Sequence, residues 1–155
     1  MLLPFSEEVL GTRTYSPNVA SRHFKSPELL LEYDHYNQSI DIWSGGCLFA
    51  GLIFGDEPFF TGSSNIEELA SIASVVGSDE ITSWVEECKI KLTPLQRVVV
   101  SGKSKIPFSE YHTAKYSSIC SPEAIDLLSK MLVVDPKKRF TAEECINHKY
   151  FDDIR

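Results

Sequence analysis

The sequence predicts a mainly α domain. Helix-start signatures recur along the chain: Ser64 with Glu67, Ser121-Pro122-Glu123, and Thr141 with Glu144. Apolar residues return at three- and four-residue intervals rather than alternating. One stretch of helical length, Ser39–Phe54, is apolar nearly all the way round. The chain of 155 residues suffices for one domain with a core, and 43% hydrophobic against 24% charged is an ordinary globular balance.

Residues 1–38 lack sustained periodicity and contain Pro4, Gly11, Pro17 and Pro27, so they predict an irregular segment with one short helix near residues 28–32. In SIDIWSGGCLFAGLIF (39–54), Ile40, Trp43, Cys47, Leu48, Leu52 and Phe54 do not share one stripe, which predicts a helix covered on every side. Gly45, Gly46 and Gly51 each cost that helix about 1 kcal/mol relative to alanine, a cost expected where neighbours press on the backbone. Residues 64–77 read as an amphipathic helix with Ser64 and Glu67 at capping-box spacing, Ile66, Leu69, Ala70 and Ala73 on its apolar stripe, and Gly77 as its stop. Residues 79–88 predict a further helix with Ile81, Trp84, Val85 and Cys88 on one face. Over 89–120 the pattern weakens; Arg97-Val98-Val99-Val100 is β-prone, and polar, loop-like sequence follows. Ser121 is a good N-cap, Pro122 suits the first helical position and Glu123 complements the dipole. A helix is expected over 121–132, lined by Ala124, Leu127, Leu128, Met131 and Leu132, with Asp135-Pro136 as its stop. Thr141 and Glu144 then open a helix through Ile146.

Composition removes several functions. A net charge of -7 argues against nucleic-acid binding, which needs a basic surface. The longest apolar stretch carries Asp41 and is too short for a membrane span, so no membrane association is expected. The N-terminus, MLLPFSEEVL, lacks the basic region of a secretory signal. Cys47, Cys88, Cys120 and Cys145 form no C-x-x-C pair and have no histidine at zinc spacing; they read as reduced thiols of a cytoplasmic or nuclear protein, with no metal site. Gly102-Lys103-Ser104 resembles the end of a phosphate-binding loop, but Arg97 stands where its first glycine is required. Asn37-Gln38-Ser39 has glycosylation spacing but opens a buried helix, and His112 and His148 have no evident catalytic partner.

Against this acidic background, Arg22, His23 and Lys25 crowd into VASRHFKSPE (19–28). The chain then carries Ser26-Pro27-Glu28, Asp41-Ile42-Trp43-Ser44-Gly45-Gly46 and Asp135-Pro136-Lys137-Lys138-Arg139 in that order. Together these resemble the C-terminal lobe of a eukaryotic serine/threonine protein kinase. Val19-Ala20-Ser21-Arg22, Phe24-Lys25, Pro27-Glu28-Leu29-Leu30, Glu57-Pro58-Phe59-Phe60 and Ser121-Pro122-Glu123-Ala124 are most similar to the casein kinase II catalytic alpha family. The resemblance runs from about Gly11 to Phe151.

It implies a partial kinase-like fold, the C-terminal helical lobe only. Residues 1–18 would be a remnant of the activation segment and 19–155 the lobe, with a substrate-docking segment at 19–28, a central helix at 39–54 and a terminal helical subdomain at 121–151. Arg22 and Lys25 match positions that hold acidic side chains beside the phosphate acceptor. A third such position, arginine in the family, is Asn18 here, so the anion site is expected to be weaker. Each exposed ion pair contributes only about 0–1 kcal/mol, which amounts to selectivity rather than tight binding. Glu28 and Arg139 match an ion pair tying the activation segment to the last helices. Asp41 matches an acceptor for the catalytic-loop backbone, and Trp43, two positions on, has a structural place in the same motif.

Phosphoryl transfer requires a cover over the nucleotide phosphates, a lysine paired with a glutamate, a catalytic aspartate and metal ligands. The sequence holds no glycine-rich loop, no V-A-I-K, no H-R-D-x-x-x-x-N and no D-F-G. No catalytic residue, metal ligand or cofactor is therefore expected for this chain alone, although ATP and magnesium serve the resembled family. Three readings follow: a truncated casein-kinase-II-like kinase, a noncatalytic module binding acidic peptides or a partner protein, or one half of a split kinase. The helix at 39–54 is expected to show an uncovered apolar patch, open to a covering protein or partly shielded by Met1–Phe5. Asp41 is expected to lose its usual backbone partners, which is costly if it is buried and not if water reaches it.

Overall fold

The computed structural model describes residues 21–111 and 119–154. Seven α-helices form among them, and no strand, so the expectation of a mainly α domain holds. After a 3-10 turn at Arg22–Phe24 come α1 (Pro27–Leu30), α2 (Ser39–Phe54), α3 (Asn65–Val76), α4 (Ser78–Glu87), α5 (Pro94–Val100), α6 (Pro122–Met131) and α7 (Ala142–Ile146). A further 3-10 segment, Lys149–Ile154, follows α7. The expected short helix near 28–32 begins and ends earlier, with Pro27 at its first position.

The centre is α2. Trp43, Cys47, Ala50, Ile53 and Phe54 are buried along it. Trp43 stacks on Phe60 with ring centroids 5.8 Å apart, and Phe54, Phe59, Phe108 and Tyr111 continue that aromatic layer. On another side α6 lies directly against the α2 backbone. A Cβ on Gly46 would sit 2.8 Å from Leu132 Cδ2 and 3.1 Å from Met131 Cβ, so only glycine permits this approach. The helix is not covered all round, and the expected uncovered patch is there: Leu48 is 49% and Leu52 65% exposed. Met1–Phe5 lie outside the described residues, as do the rest of residues 1–18 that were assigned to an activation-segment remnant.

Packed against α1, α4 and α5, α3 begins at Ser64, whose hydroxyl accepts from Glu67 N at 3.2 Å. The reciprocal half of the expected capping box is displaced: the Glu67 carboxylate accepts from the Ser63 backbone and hydroxyl instead. The buried stripe is also rotated from expectation. Glu68, Leu69, Ile72, Ala73, Val75 and Val76 are buried, while Ile66 and Ala70 are only partly so.

The β-prone run at 97–100 is helical. Thr93 and Gln96 form a full capping box, with Pro94 at the first position, and these local bonds outweigh the weak preference of valine for strands. As expected, α6 runs from Pro122 to Met131, with Ser121 as N-cap and Leu132 as C-cap. Asp135 organises the turn beyond it, accepting from Lys137 N through its side chain and from Lys138 N through its carbonyl, both at 3.0 Å. At α7 both halves of the Thr141–Glu144 box are present.

Candidate functional site

The segment carrying the basic residues is held from three directions. Locally, Phe24 N donates to Ser21 O and Lys25 N to Arg22 O, both at 3.1 Å, which winds the 3-10 turn. From α2, Ser44 Oγ donates to the Phe24 carbonyl at 2.9 Å, with the Ile40 carbonyl of its own helix as second acceptor at 3.0 Å. From the far end of the chain comes Arg139.

Arg139 and Glu28 form a two-pronged ion pair. Nη1 donates to Glu28 Oε1 at 2.8 Å and Nη2 to Oε2 at 3.1 Å, and both side chains are fully buried. Nε donates to the Val133 carbonyl, while Nη1 and Nη2 also reach the Ser39 and Val134 carbonyls. The guanidinium lies 5.2 Å from the Trp43 ring centroid. A guanidinium can be buried only where its charge and its donors are both answered, and here they are. Trp43 itself is fully buried, its indole N–H without a hydrogen-bond partner among the described residues.

The three basic residues do not point one way. Arg22 is exposed, whereas Lys25 is only 7% exposed; neither forms an ion pair with a described residue. His23 turns inward, its Nδ1 3.2 Å from Glu68 Oε2 at the first turn of α3. His23 is therefore a strut between the segment and α3 rather than part of an open basic surface. Asn18 lies outside the described residues.

Glu68 is buried, and burial pushes its carboxyl above the usual carboxylate range; His23, Arg22 and the Gly62 backbone pull it the other way. Its second oxygen has no hydrogen-bond partner among the described residues. Gly62 must lack a side chain, because a Cβ there would overlap the Glu67–Glu68 backbone. The neighbouring Glu67 is held below its usual range by the Ser63 hydroxyl and backbone, with a further contribution from Arg22. The field of Arg22 thus already falls on two carboxylates of its own chain.

Asp41 lies in the first turn of α2 and is exposed. The expected cost of a buried, unpaired carboxylate does not arise, because water solvates it. The His23–Glu68 strut and the Ser44 tie escaped the sequence reading. Glu68 did leave a signal: it falls in line with Leu69, Ile72, Ala73 and Val76, so a carboxylate sits on an apolar stripe.

Elsewhere, His148 Nε2 lies 3.1 Å from Asp126 Oδ2, and Nδ1 accepts from Tyr150 N, fastening the last segment to α6. His112 lies outside the described residues. Cys47, Cys88, Cys120 and Cys145 are free thiols, and burial pushes Cys47, Cys120 and Cys145 upward, away from the reactive thiolate. Among the described residues no group of three or more His, Cys, Asp or Glu could hold a metal ion. No described helix is long and apolar enough to cross a membrane.

The protein kinase domain family matches residues 4–151 of this chain. A probable serine/threonine-protein kinase of Dictyostelium discoideum is 40% identical over 142 residues, which cover 92% of this chain and 24% of that relative. The chain therefore spans about a quarter of the relative's length.

Proposed function

Given that the chain belongs to the protein kinase family, we propose that it supplies the substrate-docking part of a casein-kinase-II-like serine/threonine kinase and does not itself transfer phosphate. The observation that carries this reading is the placement of Arg22 and Lys25 on a short segment clamped by the buried Glu28–Arg139 pair. A clamped backbone reduces the reordering needed for Arg22 to meet an acidic side chain, so even weak contacts discriminate. Lys25, largely buried and without a carboxylate partner among the described residues, adds to that demand for an anion.

Phosphoryl transfer is electrostatic work done by metal ions, a cradle for phosphates and a positioned aspartate. The sequence contains neither a glycine-rich loop nor H-R-D, so on this reading ATP and magnesium would be held by residues other than these. Catalysis would belong to a longer polypeptide of this lineage or to a second chain that completes the site. A second reading, a noncatalytic module that recognises a partner protein, is favoured by the exposure of Leu48 and Leu52 on α2. Either protein would work in the cytoplasm or nucleus, on acidic peptides or proteins.

Calorimetric titration with a serine peptide flanked by Asp and Glu tests the docking half. Binding should exceed that of a neutral counterpart, and Arg22→Ala should weaken it by up to about fivefold, the range of one exposed ion pair. Equal binding of the acidic and neutral peptides overturns the docking claim. Saturable ATP–magnesium binding, or phosphorylation of the peptide by this chain alone, overturns the claim of inactivity.

A further inference from the structure

The last turn of α3, together with α4, residues 105–109 and residues 125–138, encloses a cavity of about 610 Å³. That volume lies within the range of ligand pockets. Val76, Trp84, Phe108 and Leu132 make its floor, and all four are buried. The mouth is charged, and unevenly. Asp79, Glu80 and Glu87, with the buried Asp135 beside them, face only two ammonium groups, Lys105 and Lys138. Lys105 is taken by Glu80. Lys138 lies 3.0 Å from Asp135 and only 4.0 Å from Glu87. Asp79 is exposed and forms no ion pair with a described residue. An apolar floor beneath a surplus of carboxylates is complementary to one kind of guest: an apolar side chain carried beside a cation.

We propose that this cavity docks a short basic–apolar peptide segment of a partner protein. An aromatic or branched aliphatic side chain fills the floor, and flanking lysine or arginine meets Asp79 and Glu87. The site is separate from the basic segment in position and opposite to it in charge. Glu68, in the first turn of α3, contacts His23, whereas Val75 and Val76, at its other end, line the cavity. Eight positions of helix from Glu68 to Val76 put about 12 Å between them. One partner can therefore hold the cavity while an acidic peptide occupies Arg22. The proposal stands on the cavity and its rim, and does not depend on the kinase reading.

The test is a calorimetric titration of the 155-residue chain with the peptide Gly-Lys-Phe-Leu-Lys-Gly, with Trp84 emission followed in parallel. Two counterparts serve as controls, one with glutamate in place of lysine and one with alanine in place of Phe-Leu. The basic–apolar peptide is expected to bind saturably, and each counterpart at least about tenfold more weakly, a difference of about 1.4 kcal/mol. Ser83→Trp, at an exposed wall position, should block binding, and Asp79→Lys with Glu87→Lys should weaken it at least about tenfold. Both variants leave the core untouched, and circular dichroism checks that they fold. The proposal is overturned by the absence of saturable binding up to about 1 mM peptide. Equal binding of the glutamate counterpart, or undiminished binding by either variant, overturns it as well.

Discussion

Arg139 spends its donors on one carboxylate and three carbonyls, in a place water does not reach. Glu28→Gln removes the countercharge and leaves the guanidinium buried with its charge uncompensated. The expected loss is about 3–5 kcal/mol, read from chemical denaturation. Arg139→Lys should also be costly, because an ammonium can neither fork onto two oxygens nor donate to three carbonyls as well. A loss below about 1 kcal/mol for Glu28→Gln would place the pair in the exposed class. Glu68 makes a different prediction. Its carboxyl is raised in the folded protein, so between the ordinary glutamate value and the raised one the folded state holds a proton that the unfolded state has released. Stability from this group is full below the ordinary value and falls as pH rises. Glu68→Gln removes that slope, so the variant should gain stability relative to the parent between pH 4.5 and 7. Denaturation curves at the two pH values decide it; a gap that closes or stays flat refutes the assignment. The Glu28–Arg139 partnership was legible only through the family resemblance, since nothing in spacing links positions 111 apart. The His23–Glu68 strut was not read, because it depends on how far α3 is rotated.

At the scale of elements, adjacent glycines in α2 have opposite tolerances. A Cβ at Gly45 meets only Met131 Cε at 3.5 Å, an ordinary contact. Gly45→Ala should therefore stabilise the helix by up to about 1 kcal/mol through the entropy of the unfolded chain. Gly46→Ala drives a methyl into Leu132 and should cost about 1–3 kcal/mol as α6 is pushed off α2. Thermal melts of the two variants should move in opposite directions; movement in the same direction contradicts the close packing. Where a boundary is written in local hydrogen bonds, it was legible from sequence: Ser64, Ser121 and Thr141 each cap the helix that follows. The valines at 98–100 misled because strand preference is weak beside the Thr93–Gln96 box. The helix expected over 121–132 was legible at both ends, with Ser121 as its N-cap and Leu132 as its C-cap.

For the whole molecule, the apolar character of α2 announced a central helix, and it is central. Which of its sides would meet solvent could not be read from α2, because that depends on elements far away in sequence. Leu48 and Leu52 are left open. A patch of this kind attracts partners or copies of itself. Leu52→Glu, with or without Leu48→Glu, should reduce the binding of an apolar-surface dye and any self-association seen by light scattering. The change in folding stability should stay within about 0.5 kcal/mol, as for other exposed positions. Unchanged dye binding would mean that the two leucines are covered in solution.

The clamp between Glu28 and Arg139 also sets a schedule for biosynthesis. A ribosome adding about 5–20 residues per second needs about 5–20 s to add the 111 positions that separate the two partners. Throughout that interval the nascent polypeptide carries Glu28 without its countercharge, and the segment after Ser21 has only its ties to Ser44 and Glu68. The segment is therefore among the last parts to be fully locked, and a chaperone acting during translation would meet it only partly held.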